Sequence, residues 1–207
     1  FAPNARVARA ALALVGAGAV VLALRGGAPS AVNSALLTAA LLAGGTALGA
    51  VLGARIERAG HLLAVALVSG AADLWSALAG PTAELVEEAL SQPERIALIA
   101  LPWPLWGTDT IQPVLGAGDI VFVALYFAAY ARHGLPLARV AWGLGGGFLV
   151  GLCLLLFLER AIPLLPVLGA GAVLADRRAR ALAGRELATV LGTTAVILVV
   201  LAVRLWR

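Results

Sequence analysis

Gly116-Ala117-Gly118-Asp119-Ile120-Val121-Phe122-Val123-Ala124-Leu125-Tyr126-Phe127-Ala128-Ala129-Tyr130 sets one carboxylate behind two glycines at the head of an apolar run. A charge in lipid is costly, so an acid inside a membrane segment marks a site of function by default. A second acid, Asp73, interrupts another such run, Leu62 to Leu78. The reading of these two runs as membrane helices decides the fold, and their two acids point to a shared job.

The composition agrees with lipid as the solvent. Of 207 residues, 62% are hydrophobic and only 13% charged, and the mean hydropathy is +1.00. Soluble domains are about half apolar and about a quarter charged. Runs of about 20 apolar residues span a bilayer as helices. Seven are expected, at 7–24, 32–53, 60–79, 113–131, 137–158, 161–175 and 187–206. The period-two alternation of a membrane barrel is missing. The fold class is an all-α polytopic membrane protein, a single transmembrane domain over 1–207. The chain starts at Phe1 and contains no Met, so further spans are expected upstream. All 15 basic residues are arginine, and with Ala and Gly so frequent this fits a GC-rich, prokaryotic source and a multi-pass cell-membrane protein. The arginines flank spans, so the net charge of +4 is explained by topology and implies no nucleic acid. Cys153, the lone cysteine, permits no internal disulfide and reads as a packed thiol. His61 and His133 lie at span ends as interfacial polar groups. One cysteine also allows no cysteine-based metal cluster.

Basic residues alternate between loops. Ten arginines fall in the N-terminus, 54–60, 131–139 and 176–186, against five on the other side. The positive-inside rule places the first group in the cytoplasm, and the connection 80–112 then faces outward. Within it, Gly80-Pro81 breaks the third span, and Leu85, Val86, Ala89 and Leu90 against Glu84, Glu87 and Glu88 suit a short amphipathic helix at the interface. Trp103 and Trp106 read as headgroup-level anchors. The glycines at 44, 45, 49, 53, 143, 145, 146, 147 and 151 read as close helix-packing positions.

Asp73 lies 11 residues past Leu62, roughly 16 Å along a helix. Asp119 falls about five residues into its span. The two spans are consecutive and antiparallel, so the depths suit facing carboxylates. Two close carboxylates in low dielectric share a proton. The ionised one can activate water while the other protonates a scissile carbonyl. Gly116 and Gly118 allow close backbone approach beside the acid, so a peptide could lie there as an added strand. Paired membrane acids also serve proton relays and ion sites in transporters. On the carboxylates alone, both chemistries stay open.

Three stretches, in order, resemble the presenilin and signal peptide peptidase family of intramembrane aspartyl proteases. Ala72-Asp73 stands where that family has Tyr-Asp, and Gly80-Pro81, Leu85-Val86-Glu87, Ala89 and Glu94 look like the presenilin sequence that follows. Leu115-Gly116-Ala117-Gly118-Asp119 matches the family's G-x-G-D. Gly151-Leu152-Cys153-Leu154 followed by Pro163-Leu164-Leu165-Pro166 resembles its Gly-Leu-Cys-Leu run and Pro-Ala-Leu-Pro element. The likeness covers 62–176, which would be the catalytic core.

The resemblance implies an aspartic endopeptidase that cuts transmembrane segments or signal peptides, with Asp73 and Asp119 as the catalytic pair. Gly116, Ala117 and Gly118, with Pro163, Leu164 and Leu165, would shape the active site and dock substrate. Its partners would be membrane-spanning protein or signal-peptide substrates and the bilayer. Nothing in the sequence sets the oligomeric state. Ala72 lacks the family's phenol, and Leu164 is bulkier than its Ala. The family's acids fall in the sixth and seventh of nine spans, here in the third and fourth. The polarity argued above matches signal peptide peptidases, whereas the sequence detail is nearer presenilins. Prepilin peptidases carry Lys two residues after the G-x-G-D acid, where this chain has Val121. The alternative reading is a non-catalytic membrane protein, transporter-like or an inactive family member, with paired intramembrane acids.

Overall fold

The structure is a computed structural model that describes residues 18, 31–79, 100–104, 111–158 and 162–206. Helices dominate: α1 (Ala31–Gly53), α2 (His61–Ala79), α3 (Ala117–Arg132), α4 (Leu137–Leu158), α5 (Leu165–Leu174) and α6 (Gly184–Trp206), with a 3₁₀ turn at Arg177–Arg180. Two short strands, β1 (Ala100–Pro104) and β2 (Ile111–Gly116), pair antiparallel. The amphipathic helix expected over 82–90 lies outside the described residues.

The chain is a helical membrane protein, but seven spans are not what the described residues form. Three helices are both long and apolar enough to cross a bilayer: His61–Leu78, Leu137–Leu158 and Gly184–Arg204. The run expected to span 113–131 begins instead as β2, because the prolines and glycines before Ala117 do not extend the helix upstream. The helix that remains has 16 residues, about 24 Å against a hydrocarbon core of about 30 Å. The run expected at 161–175 shortens to α5, 10 residues long, because Pro163 and Pro166 set its start. In α1 the apolar stretch is Thr38–Gly53. The first expected span, 7–24, lies outside the described residues apart from Gly18.

By their contacts the described residues fall into two compact units, those within 1–54 and 85–125, and those within 55–84 and 126–207. In the first, α1 lies against the start of α3. A Cβ on Gly45 would stand 3.0 Å from Ile120, and one on Gly49 would stand 2.8 Å from the Ala124 methyl and 2.9 Å from the Leu125 nitrogen. Only glycine permits that approach, which replaces the hydrophobic drive absent in lipid with close van der Waals contact.

The second unit is built on α5. It is flanked by α2 and α4, and α2 also packs against α6. Leu62, Val140, Leu168, Tyr126 and Tyr130 form its closed centre. The Tyr130 hydroxyl donates to the Ala172 carbonyl of α5. The turn after α3 follows from one residue. Gly134 takes φ +59, so the Leu135 nitrogen reaches back to the Tyr130 carbonyl (2.9 Å) and Gly134 to that of Ala131 (3.3 Å). That is a Schellman ending, with Leu135 buried behind it. The outward faces of α4 and α6 are apolar, with Trp142 83% and Phe157 86% exposed, as suits helices solvated by lipid. Cys153 lies on this exposed face of α4 rather than in a packed interior, because Gly151 and Gly147 take the inward positions.

The arginine-rich connections gather at one end of this unit. Arg58 pairs with Glu186 at 3.1 Å, His61 lies 3.8 Å from the same carboxylate, and the His133 ring bonds the Ile56 carbonyl at 3.0 Å. Asp176 organises the rest. Only 7% exposed, it accepts from the Arg178 nitrogen at 2.9 Å and pairs with Arg139 at 3.4 Å and the Arg178 side chain at 3.5 Å. The backbone bond from Arg178 first, then the two guanidiniums, hold its carboxyl below the ordinary value of 3.8 despite burial. A depressed carboxylate stabilises the fold fully above its ordinary value, and that contribution drains as the pH falls through the lower folded value. Between pH 7 and pH 3 the parent should therefore lose more thermal stability than Asp176→Asn, which starts lower at pH 7. Equal losses would remove Asp176 from this role.

Candidate functional site

Two of the three sequence stretches meet at Asp73. This acid lies on α2, half-buried, facing the start of α5. Leu164 occupies the N-cap of α5 and has no side chain able to cap it. Pro166 brings no N–H, and the Val167 and Leu168 nitrogens both return to the Leu164 carbonyl at 3.1 and 3.0 Å. The first-turn donor left over is the Leu165 N–H. It is taken by Asp73 Oδ2 at 3.0 Å, across 92 residues of sequence. The acid of one helix thus completes the N-terminus of another.

Glycines seat this junction. A Cβ on Gly70 would stand 3.2 Å from the Pro166 Cα, and one on Gly151 would run into the Leu164 side chain. Gly70 was not expected at the site from sequence, although its place three residues before Asp73 puts it on the same helix face. Gly151, read as a packing position and as part of the Gly-Leu-Cys-Leu run, is the position that accommodates the bulk of Leu164. Pro163 and Leu164 are half-buried. Ala72, by contrast, is exposed, because the next position on a helix turns about 100° away from the acid.

Gly116, Ala117, Gly118 and Asp119 form the passage from β2 into α3. Asp119 is not several residues inside a span, as expected, but in the first helical turn, because β2 continues through Gly116. Its Oδ2 accepts the Gly116 N–H at 3.0 Å. This is the half of a capping box that the N3 residue supplies; Gly116, without a side chain, cannot return the other half. Gly118 is exposed, with open space where its Cβ would be. Extended backbone, a flexible glycine and a carboxylate therefore follow one another within four residues.

The structure brings Asp73 together with Leu165 and, through it, with Pro163 and Leu164. It brings Asp119 together with Gly116. Asp73 belongs to the unit 55–84 with 126–207, and Asp119 to the unit 1–54 with 85–125. The two acids are alike in one respect: each accepts a backbone N–H at the start of a helix. Comparison of the chain with protein-family models, with characterised proteins and with solved structures returns no match.

Proposed function

We propose that the chain is a multi-pass intramembrane aspartyl protease of the presenilin type, in which Asp73 and Asp119 act as a pair on one water. The observation that carries this reading is the bond from Leu165 to Asp73. It ties the first acid to the proline element, which on packing grounds alone had no need to meet it. Asp119 and its glycines lie at the end of a strand, and β1 and β2 make a two-stranded sheet among the described residues. Each strand of such a sheet has one edge without a partner, and an unwound substrate can add there by backbone hydrogen bonds. Unwinding is required, because a helical peptide bond is shielded by its own backbone pairing. In the reaction one acid takes a proton from water as its oxygen bonds the carbonyl carbon, and the other protonates the carbonyl oxygen; the first acid then passes its proton to the substrate nitrogen, the second takes one back from the adduct, and the C–N bond breaks to give carboxylic acid and amine. No step needs a metal or an organic cofactor. In this reading the protein lies in a prokaryotic cell membrane with the arginine-rich end in the cytoplasm, and Asp73 is in the outer half of α2.

A second reading has its own observation. Both carboxylates cap helices, and a non-catalytic bundle would use them so. The two readings part in a liposome assay with a single-span protein substrate. The protease reading expects products cut within the apolar segment. An intact substrate after prolonged incubation, across several such segments including signal peptides, would leave only the capping role.

A further inference from the structure

The packing of α4 against α5 leaves a groove of about 600 Å³ on the outer face of the second unit, within the roughly 300–1,000 Å³ of ligand clefts. Its floor follows from glycine. The Gly143 and Gly171 backbones touch, and a Cβ on Gly147 would stand 2.9 Å from the Val167 carbonyl. Side chains on either side therefore rise above the contact line as walls, Trp142 and Val150 from α4, Ala170 and Leu174 from α5. At Gly146, which also lines it, there is open space where a side chain would begin. The groove is almost wholly apolar, yet one end carries Arg139.

Position along the helix supplies the scale. Arg139 to Val150 is eleven residues, about 16 Å of helix, or roughly one leaflet of a hydrocarbon core about 30 Å thick. Charge supplies the chemistry. Arg139 and Arg178 share one buried acid, Asp176, and their side chains remain 64% and 60% exposed. One negative charge between two positive ones leaves a net positive charge and unused N–H donors around Arg139, the charged residue that lines the groove. Trp142, one helical turn below Arg139, has an amphipathic ring suited to headgroup level.

We propose that the groove between α4 and α5 binds an anionic phospholipid, one acyl chain along the glycine floor and the phosphate at Arg139 and Arg178. A phosphate there meets charge-assisted donors already oriented by Asp176. The acyl chain fills a slot that no side chain of the described residues occupies at Gly146. A zwitterionic lipid of the same chain length fills the slot equally but carries its own cation to the two arginines. The site thus distinguishes headgroups by charge, and it lies on the opposite side of α5 from the tyrosine-lined core.

The test is native mass spectrometry of the delipidated full chain, titrated with dioleoyl phosphatidylglycerol and, separately, dioleoyl phosphatidylcholine. The parent should retain one phosphatidylglycerol in preference to phosphatidylcholine. Arg139→Gln should weaken phosphatidylglycerol about fivefold and leave phosphatidylcholine unchanged. Gly146→Leu, which meets open space and so folds, should displace both lipids. Equal retention of the two lipids by the parent, or undiminished phosphatidylglycerol on Gly146→Leu, overturns the proposal. So does a parent dimer that Gly146→Leu converts to monomer, since the groove would then hold a second copy of the chain.

Discussion

Under the proposed protease function, Asp73→Asn and Asp119→Asn should each lower cleavage of a transmembrane substrate by about 10⁴-fold, as loss of one member of a catalytic unit does, while the protein stays folded. Asparagine is the informative replacement because each acid has a structural task. Its amide oxygen can still accept the Leu165 N–H in place of Asp73, or the Gly116 N–H in place of Asp119. What asparagine cannot do is exchange a proton with water. Thermal unfolding of each variant reports the cap, and the cleavage rate reports the chemistry. Parental rates in both asparagine variants would reduce the two acids to caps. Alanine would confound the two tasks, since it leaves a half-buried N–H without a partner, at a cost of about 1–3 kcal/mol.

Gly143→Leu should strongly destabilise the packing of α4 on α5. A side chain there begins 2.9 Å from the Gly171 carbonyl carbon and closer still to its oxygen. Both atoms are backbone, so relief requires α4 and α5 to separate. Overpacking of this kind costs about 1–3 kcal/mol, and with α5 displaced the Leu165 N–H leaves Asp73. The thermal midpoint in detergent should fall by about 5–10 °C, with a parallel loss of any activity that depends on Asp73. Gly146→Leu is the matched control. The added side chain is identical and three residues away, but it enters open space, so the midpoint should stay within about 2 °C. A similar fall in both variants would mean that leucine, not the helix crossing, is the cause.

The sequence by itself determined the class of solvent and singled out two acids as candidates for function. Apolar runs with small residues require helices in lipid, because lipid satisfies no backbone group. The two acids inside such runs could be picked out from 11 by composition alone. Element ends were less legible. Hydropathy sums side-chain transfer and is blind to prolines and glycines that stop a helix, so 113–116 read as the start of a span although it belongs to the strand Ile111–Gly116, and 161–175 read as a span although α5 is 10 residues long. Partners across the chain were not legible at all. That Leu165 would lack a local acceptor could be read from Leu164 and Pro166, but not that Asp73, 92 residues earlier, would supply one. The same holds for Gly143 and Gly171, or Gly70 and Pro166. A glycine states only that something may come close. What comes close depends on which helices pack together, and tertiary structure alone decides that.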